Sequence, residues 1–263
     1  MSLDYLAHLR DDSARFRAVL ATAAAGSRVP SCPDWDADDL LWHLGEVQWF
    51  WGTIVAQRLD DPDKAEARKP QRPGDRTGLL SFFDSASALL QRSLAETDPS
   101  VEVWMWDADR TVGYIRRRQA HEALIHRLDA ELTVGVPTPL DPELASDGVD
   151  EAIQKMFGSP PDWATSTTGH HTVSLHTTDT GLTLPLRVDR WSGTSPNTGR
   201  TYDDETYLAV EQQDGFHPDV TVHAPAADLD AWLWGRAEDY VLTVQGDAEA
   251  FTALKNVVTT GIE

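Results

Sequence analysis

The 263-residue sequence contains a single cysteine, Cys32. One thiol excludes an internal disulfide, fits a reducing compartment, and rules out zinc sites built from paired cysteines. Any metal site must therefore draw on His, Asp and Glu. Basic residues are scarce as well: 22 Lys and Arg stand against 43 Asp and Glu, a formal charge of -21. Such a field repels phosphate backbones and anionic lipid surfaces, so nucleic acid is not an expected partner. No apolar run approaches the roughly 20 residues that cross a bilayer, and the opening "MSLDYLAHLRDD" lacks a basic stretch leading into an apolar one. A cytoplasmic location without membrane attachment is the expectation. The chain is 41% hydrophobic and 25% charged, a globular composition, and is long enough for two modest domains that each bury a core.

The first half, 1–140, reads as a four-helix bundle. Leu6, Leu9, Phe16, Leu20 and Ala23 recur at helical steps before Gly26. A second helix follows "PDWD", where Asp36 can cap it, and carries Leu40, Leu44, Val47, Trp51 and Ile54. Leu79, Phe83, Ala86, Leu90 and Leu94 mark the third. The fourth runs from about Asp109 to Leu132 and stops before "GVPTP". Between the second and third lies a polar, proline-broken stretch, 59–76, which reads as a surface loop or a substrate lid.

The proline-rich segment 135–148 reads as an interdomain linker. Beyond it, 148–263 is expected to form a small α+β domain with a largely antiparallel sheet. A short helix is expected around Val149 to Phe157, then alternating strands at "HTVSLHTT", "LTLPLRVD", "TYLAVE", "DVTVHA" and "YVLTVQG". Two helices interleave, at "AADLDAWLWG" and "DAEAFTALKNVV".

The stretch most suggestive of chemistry is "HEALIHRLDAE", residues 121–131. Its histidines are five apart, not four as in the helical zinc-protease pattern, so His121 and His126 diverge around a helix and cannot share one ion. Glu122 and His126, four apart, lie on one face, and Asp129 falls close to the same direction. With Arg116, Arg127 and Glu131 assigned to the water-facing side, the Glu-His-Asp stripe looks into the bundle, where buried charge needs a partner or a metal. His43 interrupts the apolar stripe of the second helix and is a candidate third ligand. It is equally readable as a satisfied core histidine. Two imidazoles and a carboxylate suit Zn²⁺ or another divalent first-row ion and leave a coordination position open. Asp129 could accept a hydrogen bond from a ligand's second ring nitrogen, or pair with a cation such as Arg118. In "GHHTVSLH", His170 and His176 read as solvated residues on the polar face of a strand, and Cys32 as inert.

"VPSCPDWDADDLLWHLGEV", followed some way on by "RQAHEALIHRLDAE", resembles the mycothiol-dependent maleylpyruvate isomerase family. "LDAWLWGRAEDYVLTVQGD" is similar to that family's second domain. The resemblance implies a DinB-like metal-binding bundle followed by a sterol-carrier-like domain. It implies His43, Glu122 and His126 as ligands of a metal, usually zinc, and Arg236 as an arginine near the active site. It also implies mycothiol as a thiol cosubstrate whose thiolate attacks a small electrophile, giving cis-trans isomerisation, S-transfer by conjugation, or thiol exchange. Two other readings stay open: a non-catalytic module that binds a thiol conjugate or an apolar ligand, and a hydrolase using metal-bound water. The sequence leaves the oligomeric state and the electrophile open.

Overall fold

The computed structural model describes residues 3–260, apart from 25 and 213. The chain divides into two compact units, Met1–Leu140 and Asp141–Glu263. Among the described residues no helix is long and apolar enough to cross a membrane.

The first unit contains α1 (Tyr5–Thr22), a hairpin of β1 (Arg28–Val29) and β2 (Cys32–Asp36), α2 (Ala37–Gln57), the single turn α3 (Asp63–Glu66), α4 (Arg76–Glu96) and α5 (Val112–Val134). The four long helices are those expected from the sequence, and local chemistry sets their ends. Asp36 accepts from the backbone amides of Asp38 and Asp39, while the Asp39 side chain accepts from the Asp36 amide. This reciprocal cap stabilises the start of α2 by about 1 kcal/mol. Thr111 caps α5 at its start, and Gly135 ends it in the left-handed conformation at φ 72°. Close approach of α2 to α4 depends on Gly52, where an added Cβ would lie 2.9 Å from the Leu90 nitrogen.

Two apolar clusters fill this unit. One gathers Leu9, Trp51, Ile54, Leu90, Leu94, Ile115 and Ala123; the other Phe16, Leu20, Val29, Leu40, Leu44, Phe83 and Ala130. Along α5, His126 and Asp129 fall between Ala123 and Ala130. A polar layer thus interrupts the core.

Three expectations for this unit change. The hairpin was not foreseen: its strands are short and polar and carry no alternation. Stretch 59–76 is not a plain surface loop, because Leu59 and Ala65 are buried, Lys69 pairs with Glu46, and Arg72 Nη1 lies 2.7 Å from Asp39 Oδ1. Finally, Arg127 and Glu131 do not face water: they are 5% and 0% exposed. Helix α1 covers that side, bringing Asp12 within 2.8 Å of Arg127 Nε and Arg15 Nε within 2.8 Å of Glu131. The residues after Gly135 fold back so that the Thr138 amide and hydroxyl also donate to Glu131. Arg116 is half-buried, donating to the carbonyls of Leu94 and Thr97.

The second unit opens earlier than expected. Helix α6 (Pro142–Glu151) occupies half of the presumed linker and runs into a π-turn, Ala152–Met156. Asp141 caps it, Pro142 occupies its first turn, where a missing amide hydrogen costs nothing, and Leu144, Ala145 and Val149 are buried. Strands β3 (Thr165–Thr167), β4 (Thr172–Thr177), β5 (Thr183–Thr194), β6 (Thr201–Val210), β7 (Val220–Ala224) and β8 (Thr243–Gly246) form one sheet. All pairings are antiparallel except β4 with β7. Helices α7 (Ala226–Leu233) and α8 (Ala248–Thr260) complete the unit, with a 3-10 turn at Asp239–Val241. Val173, Leu175, Leu184, Leu186 and Val188 pack with Leu208, Val222, Trp232 and Leu254 into one core. Here too a polar face is less exposed than alternation suggests. Ser174 is buried, and half-buried His176 places Nδ1 3.0 Å from Thr183 Oγ1, because β4 lies between β5 and β7. His170 is exposed, as expected.

Candidate metal centre

From Arg118 to Glu131, every residue of α5 is buried except Glu122. That one opening is where His43 of α2 arrives. His43 Nε2 lies 3.6 Å from Glu122 Oε1, and His126 Nε2 lies 3.2 Å from the same oxygen. The two imidazole rings are 4.8 Å apart, nearly perpendicular. One donor atom from each of His43, Glu122 and His126 falls within 4.8 Å of the others. The four-residue step on α5 brings Glu122 and His126 together, and packing of α2 adds His43.

Each of these side chains has a support behind it. Asp129 Oδ2, fully buried, lies 2.9 Å from His126 Nδ1. Nδ1 donates its proton to Asp129, and Nε2 faces Glu122 Oε1, to which the protonated ring also donates. Arg118 Nη2 donates to Glu122 Oε2 at 2.9 Å, leaving Oε1 toward the histidines. The Ser31 hydroxyl donates to the other oxygen of Asp129. The Trp35 ring packs 4.7 Å from that of His43.

The electrostatics favour positive charge on His126 and negative charge on Glu122. Burial favours protonated Glu122, yet the hydrogen bond from His126, the close approach of His43 and the charge of Arg118 hold its carboxyl well below the ordinary value. Burial likewise opposes a charge on His126. Hydrogen bonds to Asp129 and Glu122 outweigh it and raise the imidazolium pKa to about 9. Two carboxylates around one ring favour a cation between them.

The remaining candidates lie elsewhere. His121 is buried against the edge of the Tyr5 ring, 6.3 Å away, and is not one of the clustered donors. Arg236 follows α7, with its amide bonded to the Ala231 carbonyl and its guanidinium to the Trp234 carbonyl. Ser31 and Trp35 were missed by residue-level reasoning. Their signal was the "SCPDW" segment, read as a helix start and as part of the family motif but not as a source of site residues.

The mycothiol maleylpyruvate isomerase N-terminal domain model matches residues 6–131, and the model of the C-terminal domain of the same family matches 143–253. The chain belongs to the mycothiol-dependent maleylpyruvate isomerase family. Its fold is similar to the crystal structure of the mycothiol-dependent maleylpyruvate isomerase, with a TM-score of 0.60 at 13% identity over 93% of each chain. A histidine-to-alanine mutant of that enzyme gives a TM-score of 0.61 at 12% identity, again over 93% of each chain. At such identity the structural likeness establishes the fold alone. No curated protein matches the chain by sequence.

Proposed function

We propose that this member of the family is a thiol-dependent enzyme that uses mycothiol, with a divalent metal, Zn²⁺ or another first-row ion, held by His43, Glu122 and His126. The observation that carries the reading is the convergence of three donor atoms, from two helices, at the single opening in an otherwise buried stretch of α5. The donor set fits the group: two imidazole nitrogens and a carboxylate oxygen, with Asp129 behind one imidazole. An ion held there would supply Lewis acidity, favouring the thiolate of the incoming thiol at neutral pH.

The chain's own residues define the rest. Asp129 fixes the ring plane and tautomer of His126, and Arg118 holds Glu122 with Oε1 toward the histidines. The exposure of His43 and Glu122, at 33% and 20% of their side chains, leaves a way in for a small molecule. The thiolate adds to one carbon of a cis alkene conjugated to carbonyl groups, and the alkene's electron pair moves onto the adjacent carbonyl as an enolate. The carbon–carbon bond is then single and rotates. Return of that pair expels the thiolate and leaves the trans alkene, so the thiol is regenerated. Arg236, by its match to the family's second-domain arginine, is kept as a candidate catalytic residue. Conjugation of the thiol to the electrophile (S-transfer) or thiol exchange would share the thiolate attack.

The test is turnover of maleylpyruvate, or thiol consumption with a general electrophile such as monochlorobimane, by zinc-loaded protein with and without mycothiol. Turnover only with the thiol, lost in His43→Ala, is expected. Equal activity without thiol would replace the reading with hydrolysis, and binding without turnover would replace it with a carrier role.

A further inference from the structure

The β1–β2 hairpin supplies none of the three donor side chains, yet it reaches the supports of two of them. Ser31, in its turn, donates to Asp129 Oδ1, while Asp129 Oδ2 meets His126 Nδ1 at 2.9 Å. Trp35, on β2, packs its ring 4.7 Å from the His43 ring at an interplanar angle of 45°. We propose that this hairpin is the positioning element of the metal centre: Ser31 fixes Asp129 and, through it, His126, while Trp35 fixes the ring plane of His43. The inference rests on the metal-centre reading given above.

The physical case begins with Asp129. A buried carboxylate with one oxygen engaged can still turn about its last torsion; engaged at both oxygens, from two different elements, it cannot. Its oxygen then stands at one place relative to Nδ1, and the imidazole plane follows. The hairpin is itself held firmly enough for this task. Val29 is fully buried in the same apolar cluster as Ala130, the neighbour of Asp129, and as Leu40 and Leu44, which flank His43. Strand β2 ends at Asp36, the cap of the helix that carries His43. One hairpin therefore sets the start of α2, one wall of His43 and the back of His126. A stabilising turn would need only the first of these contacts.

The test is metal affinity of the full chain, by chelator competition for Zn²⁺ and by the visible absorption of the Co²⁺ form, with folding checked by circular dichroism. Ser31→Ala is expected to weaken affinity roughly tenfold, the lower end for loss of a supporting contact. Ser31→Thr, which keeps the hydroxyl, should restore it. If Ser31 acts through Asp129, the double variant Ser31→Ala/Asp129→Ala binds no more weakly than Asp129→Ala alone, whereas independent effects would add. Trp35→Leu is expected to alter the Co²⁺ band shape and Trp35→Phe to preserve it; this pair decides the matter if Ser31→Ala does not fold. Folded Ser31→Ala with wild-type affinity, or additive losses in the double variant, would overturn the hairpin's role. Undiminished binding in His43→Ala would instead overturn the metal-centre reading, and the hairpin's role with it.

Discussion

Helix α5 buries charge on two sides, and the two sides are resolved differently. On one, Arg127 and Glu131 are closed off by Asp12, Arg15 and Thr138, so that both oxygens of Glu131 are occupied by donors within the bundle. On the other, Glu122, His126 and Asp129 carry two carboxylates around one imidazole, and the cluster meets the surface through Glu122 and His43. Both sides obey the rule that buried charge is paired. In the first network every acid has a cation beside it, although Arg127 Nε, 2.8 Å from Asp12, makes no aligned hydrogen bond and burial raises the Asp12 pKa to about 6. In the second, Arg118 faces Glu122 and a proton on His126 lies between Glu122 and Asp129; a metal ion could take the place of that proton. Burial of charge does not by itself mark a functional site; a buried cluster of metal-type donors that can be reached from solvent is the stronger indicator.

The largest expected effect separates these two sides. His43→Ala should abolish stoichiometric zinc binding and thiol-dependent turnover while leaving the thermal midpoint of the metal-free protein nearly unchanged, as metal analysis and calorimetry would show. Glu131→Gln should do the reverse, costing about 3 kcal/mol of stability, the range for breaking a buried ion pair, with zinc content intact. Burial raises the Glu131 pKa, but Arg15, Thr138 and Arg127 outweigh it and lower the value in the folded state. The folded carboxyl thus holds its proton less tightly than the unfolded one. Its contribution is complete above the unfolded value of about 4.3 and fades as pH falls through the lowered one. Wild-type stability should therefore fall more steeply with acid than that of Glu131→Gln, in denaturant titrations across that window. A third, smaller effect concerns the open side: zinc at a hundred times its dissociation constant should stabilise the folded chain by about 2.7 kcal/mol, read as a raised midpoint and absent in His43→Ala. The smallest lies at the start of α2. Asp36→Ala should cost about 1 kcal/mol, and a larger cost would mean that the cap also carries part of the hairpin's packing.

Much of this architecture was legible because it is local. Apolar stripes of α1, α2 and α4 and the alternation of β4 and β5 follow from period and burial. The four-residue step that joins Glu122 to His126 is likewise a property of one helix. His43 could be offered as a partner only because it broke an apolar stripe, and the family resemblance made it specific. What failed was non-local. The burial of Arg127 and Glu131 is imposed by α1 and by the return of Thr138, neither of which a helical wheel contains. The hairpin has no pattern of its own and exists because Val29 is taken into the core. Helix α6 was hidden by the prolines around it, although Pro142 sits where a helix accepts one.

The bond from Ser31 to Asp129 joins residues 98 positions apart. Such a contact forms only after a long loop has closed, and loop closure of this kind comes late when a chain condenses. Glu122 and His126 can meet as soon as one helical turn exists, but His43 and the hairpin cannot join them until the bundle is assembled. A nascent chain would therefore offer a metal two ligands at most. Tight metal capture would then report that this half of the molecule has finished folding.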